Sequence, residues 1–375
     1  MKRFSRFFLF LLAGLVLTGL VVAPVAQAAT LYPYSDSSTQ KYGLVNGAGQ
    51  VVLTPQYDSI YPNGAGLYVM KQDGLIGLLD ATGKVLVPAE WQRIDRFFDG
   101  YALAKKNDAF GFIDVKGKTV IAPQYEAVGV TFADGLAAVR KNGKWGFIDL
   151  QNRLAIPFQY ERVWPFREGI AAVRENGKWG FINKTGQIAI PFQYEAVGFL
   201  REGLIAVAVA GKWGYIDKQG KMIIQPQFEA AQEFSRGLAA VKQEWLYGLI
   251  DKSGKMVVAP KYRDVGTRFY NDRLWVALDM DFGFIDVTGR EVIPLKYKYA
   301  TYFDDGLAIV SEQATRKSPA HPVEWLRGYI DVNGVMVIEP QFSSAFPFVD
   351  GVAEVVKDGK HLYIDKSAKV IFEWP

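Results

Sequence analysis

The chain of 375 residues has no cysteine and only two histidines, His321 and His361. No disulfide can therefore stabilise it, and no lipid can anchor it through a cysteine. A Cys-His nucleophile pair is excluded, and the clustered His and Cys ligands of a zinc site are missing. No Gly-x-Ser-x-Gly elbow and no glycine-rich phosphate loop appears, so neither a hydrolase of that type nor a nucleotide site is indicated. Past Val22 there is no apolar run long enough to cross a bilayer. A strong charge balance is also lacking. Lys+Arg number 43 against 39 acids, and three of the bases, Lys2, Arg3 and Arg6, lie at the extreme amino terminus, leaving 40 against 39. So even a balance gives little attraction for phosphates, which argues against nucleic acid as a partner. No cofactor and no metal is expected.

What is present begins with a targeting pattern. The basic start is followed by an uncharged apolar stretch from Phe7 to Val22, then Pro24, then Ala26-Gln27-Ala28. This predicts a secretory signal over residues 1–28, cleaved after Ala28, rather than an uncleaved anchor. The expected address is outside the cytoplasm of a bacterium, in the periplasm or beyond the cell. Residues 29–40 read as a short linker.

From residue 41 to 375 one unit recurs. The glycine of Gly-Phe-Ile-Asp and its variants falls at Gly43, Gly77, Gly111, Gly146, Gly180, Gly214, Gly248, Gly283 and Gly328, with Leu362 in a tenth copy. The spacing is 34 or 35 residues except for one interval of 45, which hides an insertion over residues 311–325 at a hairpin tip. Such regularity marks a repeat protein whose units complete one another's core. Each unit reads as short strands: Gly135 to Arg140, a two-residue Asn142-Gly143 turn, Trp145 to Asp149, an Asp-x-x-Gly turn, and a third strand ended by a proline such as Pro123 or Pro157. A fourth short extended segment carries Val128, Val163 or Val197. The aliphatic residue exemplified by Ile148 is kept in every copy and reads as core. The residue before the glycine accepts even Arg327 and His361, so it reads as part-exposed and on the opposite side of the strand.

The repeated Lys-Trp-Gly-Phe-Ile-Asp, followed by Gly-Lys, an apolar strand and Pro-Gln-Tyr, resembles the bacterial WG repeat, also called the KWG repeat. The resemblance covers the array and implies an all-β protein, often exported. It supplies no catalytic residue.

Ten units exceed the four to eight blades usual in one propeller. The hairpin of second and third strands occurs ten times but the strand before it only nine times. The expectation is therefore an all-β, open, curved, solenoid-like stack of about ten hairpin units; a β-propeller of one or two rings is the alternative.

The aspartates closing Gly-Phe-Ile-Asp, such as Asp114 and Asp251, read as turn formers rather than a cation ladder, because Asn46 and Asn183 replace two of them. The aromatic file Phe110, Trp145, Trp179, Trp213, Tyr247 and Phe282 is the candidate ligand-binding stripe, against the plainer reading of packing between repeats. Arg316, Lys317, His321 and Trp325 in the insertion form a candidate contact loop. The function expected is a non-enzymatic, exported scaffold for protein or peptide partners. A module for cell-wall or surface glycan is the alternative, and a hydrolase built on an unidentified carboxylate pair is a third reading.

Overall fold

The computed structural model describes residues 30–129, 132–313 and 325–374, which lie in ten antiparallel sheets with no helix among them. The segment expected as a linker contributes a strand instead, Leu31–Ser35, which pairs with Tyr42–Asn46 and opens the first sheet. That sheet has three strands and the other nine have four. The nine are built alike, and their strands are lettered a to d in chain order. In the fifth sheet they are Arg162–Val163, Ile170–Glu175, Lys178–Asn183 and Ile188–Tyr194.

Local chemistry accounts for each step of the unit. Strands b and c meet at a two-residue turn in which Asn176 and Gly177 both have positive φ, 49° and 76°, the conformation that a right-twisted hairpin needs. Between c and d, Asp149 Oδ1 accepts the N–H of Gln151 at 3.0 Å and of Arg153 at 2.8 Å, and Asn183 does the same for Thr185 and Gln187. The repeated carboxylates are thus spent on closing turns, as the two asparagines implied.

Strand d departs from the sequence reading. It does not end at the proline but runs through it, from Met222 past Pro226 to Phe228 in the sixth sheet. Trp213 faces Phe228 while Tyr215 faces Ile224, so a bulge is inserted beside Gly214. A bulge needs no N–H from the proline, which explains how proline survives inside a strand. It also explains the glycine of the repeat. A Cβ at Gly214 would sit 2.4 Å from the Ile224 oxygen and 2.7 Å from the Pro226 nitrogen. In the tenth sheet the register shifts only once and no proline is present, and there Leu362 takes the glycine's place.

One residue separates strand d of each sheet from strand a of the next. Glu161 lies between Tyr160 and Arg162, and its N–H bonds to the Arg174 oxygen in strand b of the following sheet at 2.9 Å. Each unit is thereby stitched to its successor, and the sheets must stack face to face.

They stack into a closed ring. Ten sheets meet in ten buried interfaces, where an open stack would have nine. The tenth interface joins the two ends: Tyr32, Tyr34 and Val45 pack on Val352 and Tyr363. The Tyr363 hydroxyl donates to the Pro33 oxygen, Thr30 Oγ1 donates to Asp350 at 2.6 Å, and Tyr34 meets Phe372 edge-on at 5.0 Å. The architecture is a ten-bladed β-propeller, the alternative, and not the open array. Leu31–Ser35 decides it, because this strand supplies the b position that the repeat count left empty. Ten blades fit one ring because both faces of each sheet are apolar and every face finds a neighbour.

Candidate functional site

Alternation along strand c sends Trp145 and Phe147 toward the following blade and Ile148 toward the preceding one. The two sides that the sequence distinguishes are both real, but in a ring each is covered by a blade. Phe110, Trp145, Trp213, Tyr247 and Phe282 are half-buried against these interfaces, and Trp179 is 8% exposed. Each stands across the ladder from an aromatic of strand d, as Trp145 does from Tyr160 and Trp179 from Tyr194. The six are brought to equivalent places, and they contribute to packing between blades. Of the candidate contact loop, Trp325 is exposed and pairs with Gln313 at the end of its hairpin. Arg316, Lys317 and His321 lie outside the described residues.

Exposed aromatic side chains occur singly at Trp245, on the b–c hairpin of the seventh blade, and at Tyr299, on strand a of the ninth, and as a group on the segments that join strand a to strand b. Phe98, Trp164, Tyr302 and Phe346 occupy that segment in different blades, with Phe98 the most open of the four at 59%, and Tyr61 lies within strand a of the second blade, Ser59–Gly64. Arginines share it: Arg96, Arg167, Arg201, Arg236 and Arg268. Because adjacent strands run antiparallel, the a–b segments emerge at the same end of each sheet as the c–d turns, opposite the Asn-Gly hairpins. Local sequence builds them compactly. Arg167 and Ile170 exchange two backbone hydrogen bonds, 2.8 and 3.2 Å, around Glu168 and Gly169, both at positive φ. The buried Phe166 just before them packs edge-on to Phe147 of the preceding blade at 4.8 Å, anchoring the segment. The signal for this surface was available in the sequence as Phe-x-x-Gly, recurring with an aromatic or arginine beside it, but the larger Trp-Gly pattern overshadowed it.

Two cavities open on these segments. One, of about 460 Å³, is lined by Tyr61, Asn63, Asp95, Arg96 and Phe98 among others. The other, of about 560 Å³, spans the a–b segments of four successive blades, the fifth to the eighth, from Arg167 to Arg268. Its wall is braced by a run of rings: Trp179 stacks on Trp164 at 5.8 Å, and Trp164 meets Phe199 at 5.1 Å. Its charges are mixed. Arg201 Nε lies 3.3 Å from Glu233, and Glu202 accepts the Gly237 N–H at 3.0 Å and pairs with Lys252 at 3.1 Å. Lys252 and the Gly237 and Arg236 N–H groups hold the Glu202 carboxyl below its usual range, against the opposing pull of burial. Among the described residues no cluster of three or more His, Asp or Glu is arranged to hold a metal ion.

The opposite end of the blades is tied off by side chains. The residue linking two blades caps the next hairpin: Glu195 accepts the Gly211 N–H at 2.9 Å, and Glu229 those of Glu244 and Trp245 at 3.1 and 3.2 Å. Where the link is basic the hairpin is acidic, as in Arg263 with Asp279 at 3.4 Å and Lys298 with Asp281. These carboxylates serve the fold.

Comparison with known sequences places the repeat. The profile of the WG-containing repeat matches nine consecutive stretches, from residues 42–75 through 328–360. The chain belongs to the WG-repeat family. No curated protein matches its sequence. Among solved structures, one described as a eukaryotic initiation factor aligns over 82% of this chain and 95% of its own with a TM-score of 0.52 and 13% identity. Hsv2p of Kluyveromyces lactis aligns over 62% and 94%, with 12% identity and a TM-score of 0.35. The first likeness speaks for the fold alone, and the second is too distant to add to it. This WG-repeat chain thus has a repeat propeller fold, compatible with a binding scaffold, and no helix of its described residues is long and apolar enough to cross a membrane.

Proposed function

We propose that this WG-repeat propeller is a non-enzymatic scaffold, exported through its amino-terminal signal, that holds protein or peptide segments on the a–b surface. One observation carries the reading. Large aromatic side chains stand exposed on the same segment of several blades, in the third and fifth with an arginine on that segment, whereas exposed aromatics elsewhere, such as Trp245 and Tyr299, stand singly. Aromatic residues and arginine are the types that anchor protein interfaces, since they offer large contact areas at small entropic loss. A ring that repeats such anchors offers many weak contacts to one extended partner, and weak contacts add through effective concentration.

The experiment compares the wild-type protein with the triple variant Phe98→Ala, Trp164→Ala, Phe346→Ala on a peptide array and on purified peptidoglycan. Retention on peptides that drops at least tenfold in the variant supports the reading. Retention on peptidoglycan alone would transfer the surface to glycan. Equal peptide retention by both proteins would remove the a–b surface from the function.

A further inference from the structure

Among the groups lining the larger groove, most charges are already engaged. Arg201 is tied to Glu233, Glu202 to Lys252 and the Gly237 N–H, and Arg268 Nε donates to the Tyr270 hydroxyl at 2.7 Å. Arg167 is different. Its guanidinium has no hydrogen-bond acceptor and no ion pair among the described residues, and it lies over the face of Phe199, 5.6 Å from the ring centroid. It is half-buried, and burial first, then the like charge of Arg201, pull its pKa down, outweighing the carboxylates of Glu233, Glu168 and Asp134, which pull it up. A cation held partly out of water beside a second cation is an unfavourable arrangement that an anion relieves. Next to it Glu168 is exposed, also without a hydrogen bond or ion pair among the described residues.

The neighbours select the anion. Glu168, Glu202 and Glu233 line the same groove, so its formal charge with Arg167, Arg201 and Arg268 is balanced. A doubly charged phosphate would face three carboxylates, whereas a single carboxylate on an otherwise neutral chain meets Arg167 at smaller electrostatic loss. Planar guanidinium matches planar carboxylate in two-point hydrogen bonding. Phe199, held by Trp164 and through it by Trp179, supplies a fixed apolar floor beside that point. We propose that the groove across the fifth to eighth blades holds a carboxylate of a peptide segment on the unpaired Arg167, with the adjoining apolar side chain on Phe199 and Trp164. This rests on the reading of the a–b surface as peptide-binding and names the chemistry it selects.

Titration calorimetry and tryptophan emission of the full-length protein test it with three short peptides and inorganic phosphate. The first peptide is acetylated and amidated and carries one glutamate beside a leucine. The second replaces that glutamate by glutamine, and the third is the glutamine peptide with a free carboxyl terminus. At least tenfold tighter binding of the first or third peptide over the second is expected, with the stronger of the two telling whether side chains or chain ends are the source. Arg167→Ala should erase that preference at an unchanged melting temperature, and Arg167→Lys should retain only part of it. Binding of all three peptides alike would overturn the inference while leaving the surface reading in place. So would a preference that survives Arg167→Ala, or tighter binding of phosphate than of any peptide. No peptide binding at all would sink both.

Discussion

At the scale of the residue, two positions of the repeat show how backbone geometry chooses side chains. The glycine that follows Trp213 is there because the bulged strand d leans on it. Gly214→Ala would force a methyl group into backbone atoms 2.4 and 2.7 Å away, which cannot yield as a side-chain tip can. A loss of about 1–3 kcal/mol in urea unfolding is the expected result, in the range for overpacking a closed site. Unchanged stability would mean that the bulge is not rigid. The linking residue shows the complementary case, in which chemistry is kept while charge is exchanged. Glu195 caps a hairpin by accepting N–H groups, and Lys298 reaches an acidic hairpin residue instead. Such pairs are surface-exposed, so each contributes little, and they matter for turn geometry more than for total stability.

At the scale of the element, the blade was largely legible. The Asn-Gly turn, the Asp-x-x-Gly turn and the core position of Ile148 follow from φ preference, hydrogen-bonding capacity and alternation, all of which are local. The path of strand d was not legible, because proline reads as a stop unless the bulge that absorbs it is known. The part-exposed position of Trp145 and its equivalents was legible, since five of the six are half-buried and only Trp179 is buried, but the neighbour that covers them was not. Alternation shows that this file faces away from Ile148, but it cannot show that a neighbouring blade lies on that side too. The insertion is a further matter of element scale. Strands Leu307–Gln313 and Trp325–Asp331 remain in register up to the Gln313–Trp325 pair. Removing residues 314–323 should therefore leave the blade's melting temperature within about 2 °C of the parent, since shortening a loop changes closure entropy only slowly. A cooperative unfolding transition lost on deletion, followed by circular dichroism, would show that the insertion holds the blade together.

At the scale of the whole molecule, the seam between the first and tenth blades is where the ring is closed without a covalent link. It is rich in tyrosine. Burial first, with Asp350 next, pushes the Tyr32 hydroxyl up from 10.0 to about 12, and burial also raises Tyr68 and Tyr363. A phenol whose pKa is raised by folding contributes fully below pH 10, where it is protonated in both states. As the pH climbs from 10 toward about 12 the unfolded chain ionises first and that contribution is lost. The melting temperature should fall across this window. Tyr363→Phe, which removes the hydrogen bond to Pro33, should melt lower at neutral pH and lose less on going alkaline. Parallel melting curves for the two proteins at all pH values would refute a role for the seam tyrosine.

The amino-acid sequence by itself determined the period, the turns, the aliphatic core position repeated in every unit and the family, because each rests on interactions within one unit of about 34 residues. It also held the a–b segment in plain view as a recurring Phe-x-x-Gly. Only the tertiary structure decided that the units close on themselves. Closure depends on the angle accumulated over ten interfaces and on contacts 330 residues apart, such as Tyr363 with Pro33, which no repeat-by-repeat reading contains. It likewise decided which aromatics are free. In a ring each sheet is covered on both faces, so the Trp-Gly file is half-buried between blades, and a group of exposed aromatics stands on the segments between strands a and b.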